Sequence, residues 1–188
     1  MQRKLFHSVL DTDGSTPLQN NVRRLAQHNM TFLTNTHQAN LLDGMPNVRS
    51  FTAQGCFVER QFQLPSFKLL RVLAIENCRF KGYRLICVEP LGDLLHLRYL
   101  CIRTDLQKIP EETGALRFLQ TLDLCAYVHE TSWTSTLPAQ LLCFSFKLLG
   151  VHKIPCLERL TSLEELSGDQ LHAKELGSLR ELRVLDAW

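Results

Sequence analysis

Seven cysteines (Cys56, Cys78, Cys87, Cys101, Cys125, Cys143, Cys156) and seven histidines (His7, His28, His37, His96, His129, His152, His172) are the side chains best suited to metal binding or nucleophilic catalysis. Their spacing assembles neither chemistry. No two cysteines form C-x-x-C, the spacing typical of structural zinc sites. No histidine pair forms H-E-x-x-H. The Cys/His pair Cys125 and His129, four residues apart, falls at an expected strand exit and loop, where nothing would exclude water or supply an oxyanion site. The sequence also lacks G-x-x-x-x-G-K-[ST], G-x-G-x-x-G and G-x-S-x-G. The expectation is a non-enzyme with no catalytic residue, cofactor or metal, its cysteines serving as small reduced core residues.

The elements that hold these residues must fit one core, since 188 residues with 45% hydrophobic content suffice for a single domain and are short for two. A net charge of +2 gives no push toward nucleic acid or acidic membrane, and no dense Lys/Arg block occurs. The first residues carry no long apolar run, and no stretch approaches the ~18 apolar residues of a membrane helix. A cytoplasmic protein with no membrane and no nucleic-acid partner is expected.

Periodicity supplies the architecture. In "FKLLRVLAIENC" apolar residues fall at Phe67, Leu70, Leu73, Ile75 and Cys78, at steps of 3, 3, 2 and 3. A helix or a strand alone would keep one period. The same mixed spacing recurs at Met45, Val48, Phe51, Ala53 and Cys56, at Leu94, Leu97, Leu100 and Ile102, at Leu116, Leu119, Leu122 and Leu124, and at Leu179, Leu182, Leu185 and Ala187. The anchors Phe51, Leu73, Leu100 and Leu122 lie 22, 27 and 22 residues apart. This is the leucine-rich repeat, L-x-x-L-x-L-x-x-N/C. The L-x-L step belongs on a short parallel strand with both leucines inward. Cys56 and Cys78 fill the N/C slot, where a small polar side chain turns in and bonds backbone of neighbouring turns.

The predicted fold is an α/β leucine-rich-repeat solenoid, with a curved parallel sheet on the concave face and short helices, 3₁₀ turns and loops on the convex face. Residues 1–21 read as a polar flexible lead-in, and residues 22–188 as about six to eight irregular repeats with an uncapped C-terminus. Between Leu137 and Pro155 the pattern slips. Residues flanking the L-x-L leucines should face outward, and Gln54, Glu76, Tyr99, Arg103, Asp123 and Asp169 are the candidate protein-binding residues of the concave face. Arg49, Arg71, Arg98 and Arg183 recur before the strand leucines. Interspersed carboxylates and the lack of an aromatic platform argue against nucleic acid, and an arginine ladder paired with neighbouring carboxylates is expected.

Several phrases extend beyond the generic repeat. "VRRLAQHN", "LLDGMPNVRSF", "LPSFKLLRVLAIENC", "LGDLLHLRYLCIRTDLQKIPEETGALRFLQTLDL" and "KIPCLERLTSLEELS" resemble the leucine-rich region of plant nucleotide-binding leucine-rich-repeat disease resistance proteins, closest to the cereal coiled-coil class. The resemblance spans about Val22 to Trp188 and implies a protein-recognition module in plant defence. Its implied partners are a pathogen effector, a guarded host protein, or a nucleotide-binding domain in cis or in trans. The family's nucleotide-binding motifs lie in a preceding domain that this sequence lacks, so a truncated or partial resistance protein is expected, with apolar surface exposed at Val184 and Trp188. The alternatives are a general intracellular repeat scaffold or adaptor and a non-functional truncated gene copy.

Overall fold

The computed structural model describes residues 7–10, 22–28, 31–32, 45–58, 67–80, 91–104, 111–127, 137–149, 154, 156–168, 171 and 176–187. Nine short strands build one parallel sheet: β1 (His7–Leu10), β2 (Arg24–His28), β4 (Ser50–Gln54), β6 (Val72–Glu76), β8 (Tyr99–Arg103), β9 (Thr121–Tyr127), β10 (Cys143–Leu149), β11 (Glu165–Gly168) and β12 (Val184–Ala187). Each pairs with its predecessor in that order, one strand per coil. Three two-residue strands, β3 (Thr31–Phe32), β5 (Phe57–Val58) and β7 (Arg79–Phe80), follow their coils' main strands and form a second small parallel sheet. Among the described residues, 3₁₀ turns lie at Leu91–Asp93, Glu111–Ala115 and Leu157–Arg159. The solenoid expected from the mixed period is therefore present.

The coils from β4 to β12 are built the same way. An apolar residue offers its carbonyl to the N–H three residues on, closing a tight turn: Met45 to Val48, Phe67 to Leu70, Leu94 to Leu97, Leu116 to Leu119, Pro138 to Leu141, Leu160 to Leu163 and Leu179 to Leu182. The L-x-x-L step is thus a single turn, with both apolar ends inward and the two central residues outward. A strand follows directly. Its first inward column runs Leu25, Phe51, Leu73, Leu100, Leu122, Phe144, Leu166 and Leu185 in register from β2 to β12. All of these but Leu185 are buried. The second inward column runs Gln27, Ala53, Ile75, Ile102, Leu124, Phe146 and Gly168. Removing such side chains from water is the main stabilising contribution, on the order of 1.5–3 kcal/mol for each fully buried Leu, Ile or Phe.

Polar groups inside the stack are tied to adjacent coils. Cys56 Sγ lies 3.7 Å from the Gln27 carbonyl and Cys78 Sγ 3.7 Å from that of Ala53, as the N/C slot requires. Thr104 takes the same role one residue earlier in its coil, donating to the Cys78 carbonyl at 2.7 Å. Before the two cysteines stand Gly55 and Asn77, at φ 63° and 52°. Glycine and asparagine tolerate this left-handed turn, which aims the next side chain inward.

Two coils depart from the pattern seen in the sequence. β1 lies within the stretch read as a lead-in, with His7 opposite Arg24 and Leu10 opposite Gln27. β10 lies within the irregular stretch and uses Phe144 and Phe146 where its neighbours use leucines. The Phe146 ring extends over the next coil, so a Cβ on Gly168 would sit 2.4 Å from it. Gly168 is thus the vacancy that a large aromatic fills from next door. On β12 Val184 and Leu185 are about half exposed, as expected for Val184. Trp188 lies outside the described residues.

Gly168→Ala should lower unfolding free energy by about 1–3 kcal/mol through overpacking. Adding Phe146→Leu should cost less than the two changes summed, because both act on one space. Chemical denaturation of the three variants reads this directly. The exposed Val184 and Leu185 predict concentration-dependent self-association of the 188-residue chain in light scattering, weakened by Leu185→Ser.

Candidate protein-binding face

The outward residues of the strands form three columns across the concave face. Tyr99 and Thr121 belong to the first, Ala74, Cys101 and Asp123 to the second, and Gln54, Glu76 and Arg103 to the third. Strand pairing thus brings together residues up to 47 positions apart between Glu76 and Asp123. Gln54 is exposed and stands opposite Glu76 in the register. Glu76, Tyr99, Arg103 and Asp123 cluster around Cys101. Asp169 lies outside the described residues.

The middle column points outward yet is not open to water. Ala74, Cys101 and Asp123 are 6%, 1% and 8% exposed, because longer neighbours in the flanking columns close over them. Asp123 is held by Arg103, whose Nη2 and Nε donate to the same carboxylate oxygen at 2.7 and 3.2 Å. The Arg103 side chain is half exposed and that of Asp123 nearly covered, so the guanidinium caps the buried charge and displays the positive end. Asp123 in turn raises the Arg103 pKa, through its hydrogen bond first and its charge second.

Cys101, outward by alternation though not one of the six candidate binding residues, stands at the centre. Its Sγ is 3.9 Å from both Glu76 Oε1 and Asp123 Oδ2, long contacts for a weak donor. Burial, then the Asp123 and Glu76 charges, push the thiol up to about 12. Burial, then Cys101, push the Tyr99 phenol up to about 12. A thiol so placed is a protonated spacer between two carboxylates rather than a nucleophile. The alternation of L-x-L with C in the middle was its only sequence signal. Among the described residues no cation sits within ion-pair distance of Glu76. The face therefore offers a half-buried carboxylate, a phenol edge and a fixed guanidinium within three adjacent coils.

Of the other cysteines, Cys56 and Cys78 are buried as the core reading expects, whereas Cys125 is exposed, Cys143 and Cys156 are half-buried, and Cys87 lies outside the described residues. No disulfide joins the described ones. A side-chain hydrogen bond with Cys56, then burial, raises the Cys78 pKa, while burial followed by Glu165 raises that of Cys143. Among the described residues no three His, Cys, Asp or Glu side chains are grouped to hold a metal, and no helix is long and apolar enough to cross a membrane. His129 lies outside the described residues.

The arginines form the ladder that their spacing implies. Arg23, Arg49, Arg71 and Arg98 form one exposed column just before the strands, each passing its carbonyl to the backbone N–H of the next coil's residue at 2.8–2.9 Å. Only Arg183 has the expected carboxylate partner among the described residues, Glu164 at 3.5 Å. Along the sheet the like charges of the first coils stack on one another. The acids fall in other columns or at the far end.

Cys101 and Tyr99 both hold their protons more tightly in the folded chain. The associated stability is fully present below the ordinary thiol value of 9.0 and is lost as pH rises through about 12. Thermal melting should therefore fall between these values, and Cys101→Ala should flatten the fall, leaving the Tyr99 part. Equal slopes for the two proteins would remove the thiol from the account.

The comparisons with known proteins agree with this geometry. The family model described as a leucine-rich repeat region matches residues 47–188. An Arabidopsis thaliana protein named for disease resistance is 38% identical over 65 residues, covering 34% of this chain and 7% of that protein. This chain therefore spans a small part of that relative's length. Among solved structures, a leucine-rich-repeat protein of Leptospira interrogans aligns over 90% of this chain and 55% of its own, with a TM-score of 0.52 and 16% identity, a likeness of fold alone. An internalin of Listeria monocytogenes aligns over 87% and 60%, with a TM-score of 0.48 and 16% identity. The match over residues 47–188 covers most of the chain and includes the turns, strands and inward columns described above from Asn47 onward, so this protein belongs to the leucine-rich repeat region family.

Proposed function

We propose that the chain acts in plant defence as the recognition segment of an immune receptor, gripping protein partners on its concave face. Leucine-rich repeats are protein-interaction scaffolds rather than enzymes, because a stack of coils provides a broad surface and no closed pocket. The observation that carries the reading is the cluster on β6, β8 and β9, where Glu76 stands without a described cation, beside a guanidinium held in place by Asp123. A mixed-charge surface with one aromatic edge suits a protein surface. The defence role is supported by the 38% identity with a protein named for disease resistance and by the phrases quoted from the sequence.

On this reading the partner is a pathogen effector, a guarded host protein, or a nucleotide-binding domain in cis or in trans, met in the cytoplasm. Contact with that domain would hold the receptor inactive until recognition. A nucleotide-binding domain encoded directly upstream of Met1 would favour the receptor over a general repeat scaffold.

Charge reversal tests the face. Arg103→Glu with Asp123→Lys exchanges the two ends of the pair, keeping it neutral inside while inverting what it displays. Glu76→Lys inverts the third charge. In proximity labelling from leaf cells, proteins enriched by the wild type should fall about tenfold or more with the triple variant, since close charge pairs at interfaces couple by about 1.5 kcal/mol or more. Circular dichroism would confirm the fold. An unchanged set of labelled proteins would remove the concave face as the site.

A further inference from the structure

The tight turns that open the coils form a second row, separate from the concave face. Their outward central pairs are Pro46-Asn47, Lys68-Leu69, Leu95-His96, Arg117-Phe118, Ala139-Gln140, Thr161-Ser162 and Arg180-Glu181. Turn tips ordinarily carry Gly, Pro, Asn, Asp or Ser, chosen for backbone conformation and water contact. Three adjacent tips break that rule. Leu69, Leu95 and Phe118 are 40%, 58% and 56% exposed, and they make up three of the five large hydrophobic residues exposed among those described. The His96 and Phe118 rings stack at 6.5 Å and 14°, joining two of the tips.

Cations frame this apolar row. Lys68 and Arg117 occupy the tips themselves, and Arg71 and Arg98 lie three residues past Lys68 and Leu95, in the arginine column. Arg49 and Arg23 extend that column along the earlier coils. None of these arginines has an ion-pair partner among the described residues. The tip and column positions from Arg23 to Gln120 carry no carboxylate, whereas Glu164 and Glu181 occupy the same positions farther on. Asp93, exposed at the end of its 3₁₀ turn, lies two residues before Leu95, while Glu112, half-buried against Gly92, and Asp123, held by Arg103, each lie five residues from the Arg117–Phe118 tip.

From this arrangement we propose that the tip row of the coils at Lys68–Leu69, Leu95–His96 and Arg117–Phe118 seats on an anionic phospholipid surface. The three apolar tips enter the headgroup and acyl boundary, while Lys68, Arg71, Arg98 and Arg117 meet the headgroup anions. An acidic peptide is the other polyanionic occupant. The geometry favours lipid because the apolar groups protrude from turns instead of lining a groove. The arginine column's N–H and C=O groups are spent between coils, leaving a peptide no backbone edge to pair with. A bilayer needs neither groove nor edge. The arginines lie 22 to 27 residues apart, so a search for contiguous basic blocks passes over the row. The inference stands apart from the concave-face reading.

Co-sedimentation of the 188-residue chain with vesicles tests it. Binding is expected to phosphatidylcholine vesicles containing phosphatidylserine and not to phosphatidylcholine alone, and should weaken with salt. Leu95→Ser with Phe118→Ser should lower the partition coefficient about tenfold or more. Arg71→Gln with Arg98→Gln should lower it by a similar amount, since each cation near an anionic surface contributes about fivefold. All four positions are exposed, so circular dichroism should be unchanged. Val184→Ser with Leu185→Ser should bind like the wild type. Failure to sediment with the anionic vesicles would overturn the proposal. So would binding equal to that of the wild type by both the tip and the arginine variants, or loss confined to the Val184 and Leu185 variant. Polyglutamate binding that needs the arginines but neither Leu95 nor Phe118, with no vesicle binding, would assign the row to an acidic peptide.

Discussion

Every other feature of this molecule depends on the match between consecutive coils. A single coil has one turn and one strand, with its apolar side chains in a line along one edge. It cannot bury them alone, and its strand cannot satisfy its backbone. Both needs are met by laying the next coil in register. The hydrogen bonds from Arg23 through Arg49, Arg71, Arg98 and Gln120 to Leu142 are the backbone half of that match. The column from Leu25 to Leu166 is the apolar half. A register slip would turn the inward column to solvent and carry Arg and Asp inside.

The match also sets which polar groups the interior accepts. Cys56, Cys78 and Thr104 are tolerated because each reaches a carbonyl of an earlier coil. Gln27 is the exception. It stands in the second inward column beside Ala53, is 1% exposed, and its Oε1 finds no hydrogen-bond acceptance among the described residues. An unmet buried amide oxygen costs about 1–3 kcal/mol. The first coils are therefore held less securely by their inward column than the middle ones, where Ile75, Ile102 and Leu124 stand in its place.

Much of the fold was legible because the repeat is written in residue type as well as spacing. The anchors Phe51, Leu73, Leu100 and Leu122 fall opposite one another, and the cysteine slots turn inward as read. What was missed follows one physical rule. The sheet demands an inward side chain at each step and accepts any that fills the space. Phe144 and Phe146 do so on β10 without a leucine, and the Gly168 vacancy compensates for their bulk. Thr104 substitutes a hydroxyl for a thiol and shifts by one residue, which hides it from a fixed pattern. In the candidate face, Glu76, Tyr99, Arg103 and Asp123 could be placed outward by alternation alone. That alternation could not show that Cys101 lies covered between the carboxylates, since burial on an outward column depends on neighbours some 25 residues away.

The same geometry explains why a chain with a net charge of +2 can be electrically uneven. Positions one coil apart are neighbours along the stack, at roughly 4.8 Å, whatever their distance in sequence. A residue type repeated once per coil becomes a row, and its charge sums locally while the whole chain stays near neutral. In a compact fold such repetition would scatter over the surface. Here it produces two rows with different content. On the concave face, opposite charges meet within adjacent coils, and Arg103 closes on Asp123. In the arginine column from Arg23 to Arg98, like charges stack with no such partner among the described residues. The strand columns are fixed by the need to bury the leucines between them. The tips at Lys68–Leu69, Leu95–His96 and Arg117–Phe118 carry no such demand, since these six residues are exposed. Three neighbouring tips with leucine or phenylalanine beside cations are therefore a property of the surface and not of the stack.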